Sequence, residues 1–288
     1  MSDPTDTTIP AQRTALVTGA SSGIGLSFCH RLARDGYRLV LVARRAERLE
    51  AIAKQLEQEH GIETEVFPAD LVRKEELGSV EALLASEPTL DLLVNNAGFG
   101  TTGPLASLDP DGEDSEIRLN VLALVRLTRA VLPGMIERGH GGIVNVSSMA
   151  GFSAGPYMAT YAATKAFVNA FTEGVHEELR GTGVKIQALC PGFTRTEFQE
   201  VAGVGENPLP DFVWQEPDEV VEASLAGLES GSLIVVPGLA NQALATVGSA
   251  VPRGIMRRVL GTVMGRMLAD SRVSAEASAD DPRTDLKD

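Results

Sequence analysis

Tyr161 and Lys165 stand four residues apart in a stretch of helical periodicity, which places both side chains on one face of a helix. An ammonium beside a phenol favours the ionised phenol, so Lys165 is expected to lower the pKa of Tyr161 from the usual tyrosine value of about 10. A phenol tuned in this way can exchange a proton with a substrate oxygen. Ser148 follows an apolar run that reads as a strand, and its hydroxyl can hydrogen-bond the same oxygen, with Ser147 competing for that role. Upstream, Thr18–Gly25 reads TGASSGIG. Gly19, Gly23 and Gly25 let a backbone turn tightly, and with Ser21, Ser22 and Ile24 they open a helix whose N-terminus attracts a pyrophosphate. A plain glycine turn is the rival reading, and its position straight after the first strand of a βαβ series weighs against that rival.

These residues need a scaffold that gathers strand ends and helix starts. Apolar runs at Thr14–Gly19, Arg38–Ala43, Thr64–Ala69 and Leu90–Asn95 read as strands, separated by helices over Ile24–Ala33, Glu47–Gln58 and Lys74–Ala85. Then come a long helix over Asp114–Glu137, the strand Gly142–Ser147, a second long helix from Tyr157 to Leu179, and the strands Val184–Cys190 and Leu233–Val236. Alternation of this kind predicts a parallel sheet, and continuously apolar strands say that helices cover both faces. Residues 1–12 and 270–288 are polar and expected to be disordered. Residues 13–238 are expected to form the main domain and 239–269 a helical extension.

The chain has 288 residues, with 25 Lys plus Arg against 39 Asp plus Glu, a formal charge of −14. Nothing gathers Lys and Arg into a basic face, which argues against nucleic acid as a partner. Cys29 and Cys190 lie far apart without a Cys-x-x-Cys pair, so neither a disulfide framework nor a zinc site is expected, and a cytoplasmic setting fits. The start, MSDPTDTTIP, lacks the basic and apolar regions of a signal peptide. His176, Glu177 and Glu178 point in different directions on a helix, and His30, His60 and His140 stand isolated, so no metal is expected.

The glycine spacing G-x-x-x-G-x-G is followed in order by Asp70-Leu71, NNAG at Asn95–Gly98, Asn120, Ser148 before Tyr161 and Lys165, and PGFTRT at Pro191–Thr196. Each has a bland reading: Asn95 and Asn96 could cap a turn, and Tyr161 with Lys165 could be an ordinary helix pair. Taken together, over roughly Thr14 to Val236, they resemble the short-chain dehydrogenase/reductase family. The resemblance implies an α/β fold: one Rossmann-like, doubly wound parallel sheet of about seven strands with helices on both faces. It also implies hydride transfer between a nicotinamide cofactor and a ketone, an aldehyde or, in reverse, a secondary alcohol. Tyr161 would be the proton donor. The family's serine-to-tyrosine spacing selects Ser148 over Ser147, and Asn120 would hold a water that relays protons to Lys165. Asp70 would meet the adenine amino group, Asn96 the adenosine ribose, Lys165 the nicotinamide ribose and Thr196 the carboxamide. Leu71, Ala97, Gly98, Pro191, Gly192 and Thr194 would complete the cofactor surface.

Cofactor choice falls at the end of the second strand. NAD enzymes usually place an acid there, whereas a 2′-phosphate needs that acid absent and a cation nearby. The sequence has Ala43, Arg44, Arg45, so NADP(H) is favoured over NAD(H). Two solvated arginines are the rival reading, yet cations at a helix start are unfavourable without an anionic partner.

The irregular segment Thr196–Pro217 reads as a lid, with Phe198, Phe212 and Trp214 forming an apolar wall suited to bulky ketones, or merely anchoring the loop. Tyr157 either lines the substrate pocket or packs. It lies eight residues before Lys165, whereas the enoyl-reductase branch of the family has tyrosine seven before, which disfavours that branch. The two long helices imply a homodimer or homotetramer. Leu239–Leu268, where Arg253, Arg257, Arg258 and Arg266 alternate with apolar residues, is read first as a packing segment and second as a peripheral membrane contact. A catalytically idle nucleotide-binding regulator is the rival from another class.

Overall fold

Runs of β-branched and leucine residues form a sheet buried on both faces. The computed structural model describes residues 13–198, 211–251 and 254–265, so the expected disordered termini, Arg253 and Arg266 lie outside the described residues. Strands β1 (Thr14–Thr18), β2 (Arg38–Ala43), β3 (Thr64–Pro68), β4 (Leu90–Asn95), β5 (Gly141–Val146), β6 (Val184–Leu189) and β7 (Ile234–Val235) pair in parallel in the order β3-β2-β1-β4-β5-β6-β7. The order reverses between β1 and β4, and a doubly wound sheet offers its ligand crevice at the carboxyl ends beside such a switch. Helices α1 (Gly23–Arg34), α2 (Ala46–His60), α3 (Lys74–Ser86), α4 (Pro110–Ile117), α5 (Leu124–Arg138), α6 (Ala159–Glu178), α7 (Pro217–Ser230) and α8 (Leu239–Ala250) connect or follow them, and residues 254–265 are helical.

Two apolar layers sandwich the sheet. Phe28, Leu32, Leu49 and Leu56 from α1 and α2 fill one, and Leu77, Val80, Leu127, Val131 and Met135 from α3 and α5 fill the other. Each such side chain, once fully buried, contributes roughly 1.5–3 kcal/mol. A polar ladder crosses the second layer: Asn95 Nδ2 donates to Asn145 Oδ1 at 2.9 Å and to Thr128 Oγ1 at 3.0 Å, and Asn145 Nδ2 donates to Thr172 Oγ1 at 3.0 Å. Asn95 therefore ties β4 to β5 and α5 rather than capping a turn. The ladder holds α5 and α6, and so Tyr161 and Lys165, at fixed heights on the sheet.

Three local features differ from expectation. The helix expected over Asp114–Glu137 is a helical run from Pro110 to Arg138 that passes through a π-helical stretch, Arg118–Ala123. The second long helix begins at Ala159, and Tyr157 before it has φ 65°, a left-handed backbone that aromatic residues rarely adopt. Helix α7 was not foreseen, although Pro217 in its first turn, a Glu216/Glu219 capping box and Gly231 at φ 77° delimit it.

Candidate active site

The loop after β1 is built for close approach. Gly19 and Gly23 have φ of +67° and +54°, and a Cβ on Gly25 would lie 2.3 Å from Gly19 O. Helix α1 then starts with no acidic residue in its first turn and no side-chain cap from Ser22, which leaves its N-terminal N–H groups open to an anion. Thr196 stands against this loop, since a Cβ on Gly23 would lie 3.0 Å from its Cγ2. Asn96 donates Nδ2–H to Thr18 O at 2.9 Å and to Gly19 O at 3.3 Å, while Asn96 N and Ala97 N both donate to Thr18 Oγ1 at 3.0 Å. The Asn96 amide thus braces the glycine loop. A cradle that side chains would fill, opening on a bare helix N-terminus, fits a dinucleotide.

At the far end of this groove Ala43 closes β2 and no acid follows. Arg44 is exposed and has no ion pair among the described residues. Arg45 donates to Ser21 Oγ at 3.1 Å and pairs with Glu197 at 3.2 Å, and Arg48 pairs with the same carboxylate at 2.7 Å. The two guanidinium groups hold the Glu197 carboxyl below its usual range. Asp70 Oδ1 accepts from Val72 N at 3.1 Å, which fixes the turn after β3, and Leu71 beside it is buried.

At the carboxyl end of β5, Ser148 accepts from Ala150 N at 3.1 Å and starts a short 3₁₀ turn, Met149–Phe152. Ser147 Oγ donates to Lys165 O at 3.0 Å, a structural role. The Ser148 hydroxyl meets the phenol of Tyr161, which α6 brings over it. The backbone after β4 lies against Asn120, Lys165 and Tyr161: a Cβ on Gly98 would be 2.9 Å from Asn120 Oδ1 and 3.6 Å from Lys165 Nζ, and one on Gly100 would be 2.8 Å from Tyr161 Cδ2. Asn120, in the π-helical stretch, donates to Phe99 O at 2.8 Å and to Thr164 Oγ1 at 3.2 Å and accepts from Phe99 N at 3.2 Å. Such stretches recur at functional sites. Its side chain clamps the Phe99 segment, a task the sequence reading did not foresee.

The electrostatics reverse one expectation. Burial pushes Tyr161 up to about 12, with the charges of Glu116 and Cys190 in the same direction and Ser148 alone opposing. The buried Lys165 amine donates to Val146 O at 2.8 Å and lies 5.6 Å from the centroid of the Tyr161 ring. Burial brings Lys165 itself down to about 8. Desolvation outweighs the neighbour's charge, so Tyr161 is a neutral phenol in this arrangement.

On the substrate side, the Phe198 ring lies 5.4 Å from the Tyr161 ring. Among the described residues Trp214 packs on Phe193 at 5.7 Å, with the Arg195 guanidinium 5.5 Å from its ring. The side chain of Phe212 and residues 199–210 lie outside the described residues. Tyr157 faces the C-terminal helix, since a Cβ on Gly265 would lie 3.4 Å from its Oη. After β6, Pro191 O accepts from Met149 N at 2.9 Å, a Cβ on Gly192 would lie 2.5 Å from Asn241 Nδ2, and buried Thr194 bridges to Gln215. Asn241 is a supporting residue without a sequence signal. Away from the site, His30, Glu59 and His60 place ligand atoms within 4.8 Å of one another, so His30 and His60 are not isolated in space.

Residues 13–207 match the family described as short chain dehydrogenase, and the chain belongs to that family of oxidoreductases. A short-chain dehydrogenase from Sphingobium yanoikuyae, solved in complex with NADPH, is 40% identical with a TM-score of 0.76, over 85% of this chain and 95% of that one. The bulky-bulky ketone specific alcohol dehydrogenase of Comamonas testosteroni is 34% identical with a TM-score of 0.72, over 84% and 95%. The very-long-chain 3-oxoacyl-CoA reductase of Anas platyrhynchos is 34% identical over 75% of this chain and 69% of its own. The matches to the Bos taurus and Homo sapiens enzymes of that name span 61% of their length, under two thirds.

Proposed function

We propose that this protein is an NADP(H)-dependent carbonyl reductase acting on hydrophobic ketones or aldehydes and, in reverse, on secondary alcohols. One arrangement carries the reading: the buried Tyr161 phenol stands beside Ser148 and Lys165 at the carboxyl edge of the sheet, next to a glycine cradle for a dinucleotide. The glycine cradle, the N-terminus of α1 and Arg44 would hold a nicotinamide dinucleotide, which would supply or take up the hydride. Ser148 and Tyr161 hydrogen-bond the carbonyl oxygen, and Tyr161 gives it a proton as negative charge develops. Lys165 would help hold the dinucleotide and returns a proton to the phenol. Asn120 acts by fixing the Phe99 backbone against this pair. Phe198 provides the apolar wall.

Arg44, exposed and unmatched among the described residues, supports 2′-phosphate recognition, as does the lack of an acid after β2. The Sphingobium protein's NADPH, the Comamonas protein's bulky ketones and the Anas protein's 3-oxoacyl-CoA substrates are in keeping with this choice. A reducing cytoplasm suits Cys29 and Cys190, both free and buried. Exposed Ile117, Leu122, Ile136 and Phe167 on the faces of α4 to α6 support a homodimer or homotetramer. For the C-terminal helix, Gly261 and Gly265 against Pro156 and Tyr157 support packing over the site ahead of membrane contact. Hydride transfer from NADPH to a panel of bulky ketones and 3-oxoacyl thioesters tests the reading. Tight NADPH binding with no turnover on any of them would favour the idle regulator.

A further inference from the structure

Two histidines thirty residues apart in the sequence meet where α1 and α2 pack together. His30 is in the second half of α1, and His60 is the last residue of α2, followed by Gly61 at φ 66°. One ring nitrogen from each and one carboxylate oxygen of Glu59 lie within 4.8 Å of one another. Glu59 Oε2 is 3.8 Å from His60 Nε2. Both imidazoles are half-buried and Glu59 is exposed, so the three donors converge on a point that solvent reaches.

The donors are free to ligate and partly oriented for it. His30 has no hydrogen bond or ion pair among the described residues, and His60 has only its contact with Glu59. Gln55, one turn earlier on α2, donates Nε2–H to Glu59 Oε1 at 2.9 Å, which leaves Oε2 on the histidine side. Outer hydrogen bonds of this kind orient the carboxylates of metal sites.

The local field favours a cation. Helix α2 turns its carbonyl end, the negative end of its dipole, toward His60. Glu57, Glu59 and Glu63 add negative charge around it. On the α1 side, Arg31 is drawn off by Asp35 at 3.4 Å and Glu222 at 3.1 Å, and Arg34, one turn past His30, is exposed to screening by solvent.

The donor set selects the ion. Two imidazole nitrogens and one carboxylate oxygen suit Zn²⁺ and its neighbours Co²⁺ and Ni²⁺, whereas Mg²⁺ and Ca²⁺ want a shell of oxygens. At metal–donor distances of about 2.0–2.1 Å, the donors of a tetrahedral ion stand roughly 3.3–3.4 Å apart. The three atoms here come within about 1.5 Å of that spacing, a closure within the reach of small side-chain rotations.

We propose that His30, Glu59 and His60 bind one divalent transition-metal ion of the zinc class, with water in the fourth position, and that the ion staples α1 to α2. The site stands apart from the catalytic edge. His30 is about 10 Å along α1 from the N-terminus that faces the dinucleotide groove, and α2 ends at the amino edge of the sheet, just before β3. Only the folded chain brings the two histidines together, so the ion stabilises the fold by mass action.

The test uses the untagged full chain, freed of metal by a chelator and titrated with Zn²⁺. The chain has four histidines, His30, His60, His140 and His176. In NMR spectra of the imidazole protons, the assigned signals of His30 and His60 should move and saturate at one equivalent while those of His140 and His176 stay in place. Co²⁺ should give the visible absorption of a four-coordinate site, and Mg²⁺ should give neither effect. By calorimetry, Gln55→Ala should weaken Zn²⁺ binding about 10–100-fold, the range for losing an outer contact, and His30→Ala or His60→Ala should weaken it further. Zn²⁺ should raise the melting temperature of the native chain and not of either histidine variant. Failure of the native chain to saturate, movement of His140 or His176 in place of His30 and His60, or an affinity that survives both histidine variants would overturn the site. The titration of the native chain decides the matter even if a variant fails to fold, and none of these readouts depends on the reductase reading.

Discussion

Lys165 Nζ donates to the Val146 carbonyl at 2.8 Å and stands 5.6 Å from the centre of the Tyr161 ring, so the lysine is anchored to the end of β5 and not to the phenol it accompanies. Burial then governs both groups, taking Lys165 down to about 8 and Tyr161 up to about 12.

The first prediction is a pH dependence of stability. Folded Lys165 titrates at about 8 and its ordinary value is 10.5, so between these limits the unfolded chain binds more protons and stability rises with pH. Tyr161 has the opposite sign: its folded value of about 12 lies above the ordinary 10.0, so its contribution is present below pH 10 and is lost as pH climbs toward 12. Urea midpoints should therefore rise more between about pH 8 and pH 10 for the native protein than for Lys165→Met. Parallel curves for the two proteins would show that the amine is not held neutral by burial.

The second concerns cofactor choice. One charge-assisted contact is worth about 1.5–3 kcal/mol, so Arg44→Asp should weaken NADPH binding roughly 10–150-fold and change NADH binding little. Fluorescence titration with both dinucleotides measures it. Equal affinities in the native protein would remove the basis for a 2′-phosphate site. Arg45 is a different case, since it already serves Ser21 and Glu197, and Arg45→Ala should also loosen the Glu197 segment.

The third separates two aromatic residues that the sequence groups together. Phe198 lies 5.4 Å from the Tyr161 ring and Trp214 lies 5.7 Å from Phe193. Phe198→Ala should reorder preference among ketones by roughly 10–200-fold in kcat/KM, the range for lost apolar contacts in a pocket. Trp214→Ala should lower the melting temperature while leaving that order alone. The reverse pattern would place Trp214 at the substrate.

The fourth is assembly. Leu122 and Ile136 are each 44% exposed on the run from Pro110 to Arg138, an arrangement a self-complementary interface would cover. Leu122→Lys combined with Ile136→Glu should convert a dimer or tetramer to a monomer in sedimentation at micromolar concentration. A native protein that already sediments as a monomer would contradict it.

Much of this was legible before any coordinates. Strands such as Arg38–Ala43 and Leu90–Asn95 were read with the bounds they have, because unbroken apolar runs between amphipathic helices leave little choice. Tyr161, Lys165, Ser148 and the glycine loop were read from spacing, and the fold brings them to one sheet edge. Spacing reports which face a residue occupies and says nothing of how deeply it is buried, and for that reason the direction of the Tyr161 shift was missed. Glu197 reaches Arg45 across a gap of 152 residues and Asn241 lies against Gly192, relationships that only tertiary packing creates. The π-helical stretch changes backbone bonding without changing composition. Helix α7 is the exception: Pro217, Glu219 and Gly231 marked its ends in plain sight.

The most direct test is Tyr161→Phe, which removes the acid and keeps the ring that packs on Phe198. With a ketone that the native protein reduces, NADPH affinity should be unchanged and kcat should fall about 10²–10⁴-fold, the contribution of a general acid. In alcohol oxidation the native rate should rise with pH as the phenol ionises, and this rise should vanish in the variant. Retention of most native turnover by Tyr161→Phe, with NADPH bound normally, would mean that another group delivers the proton and would contradict the account.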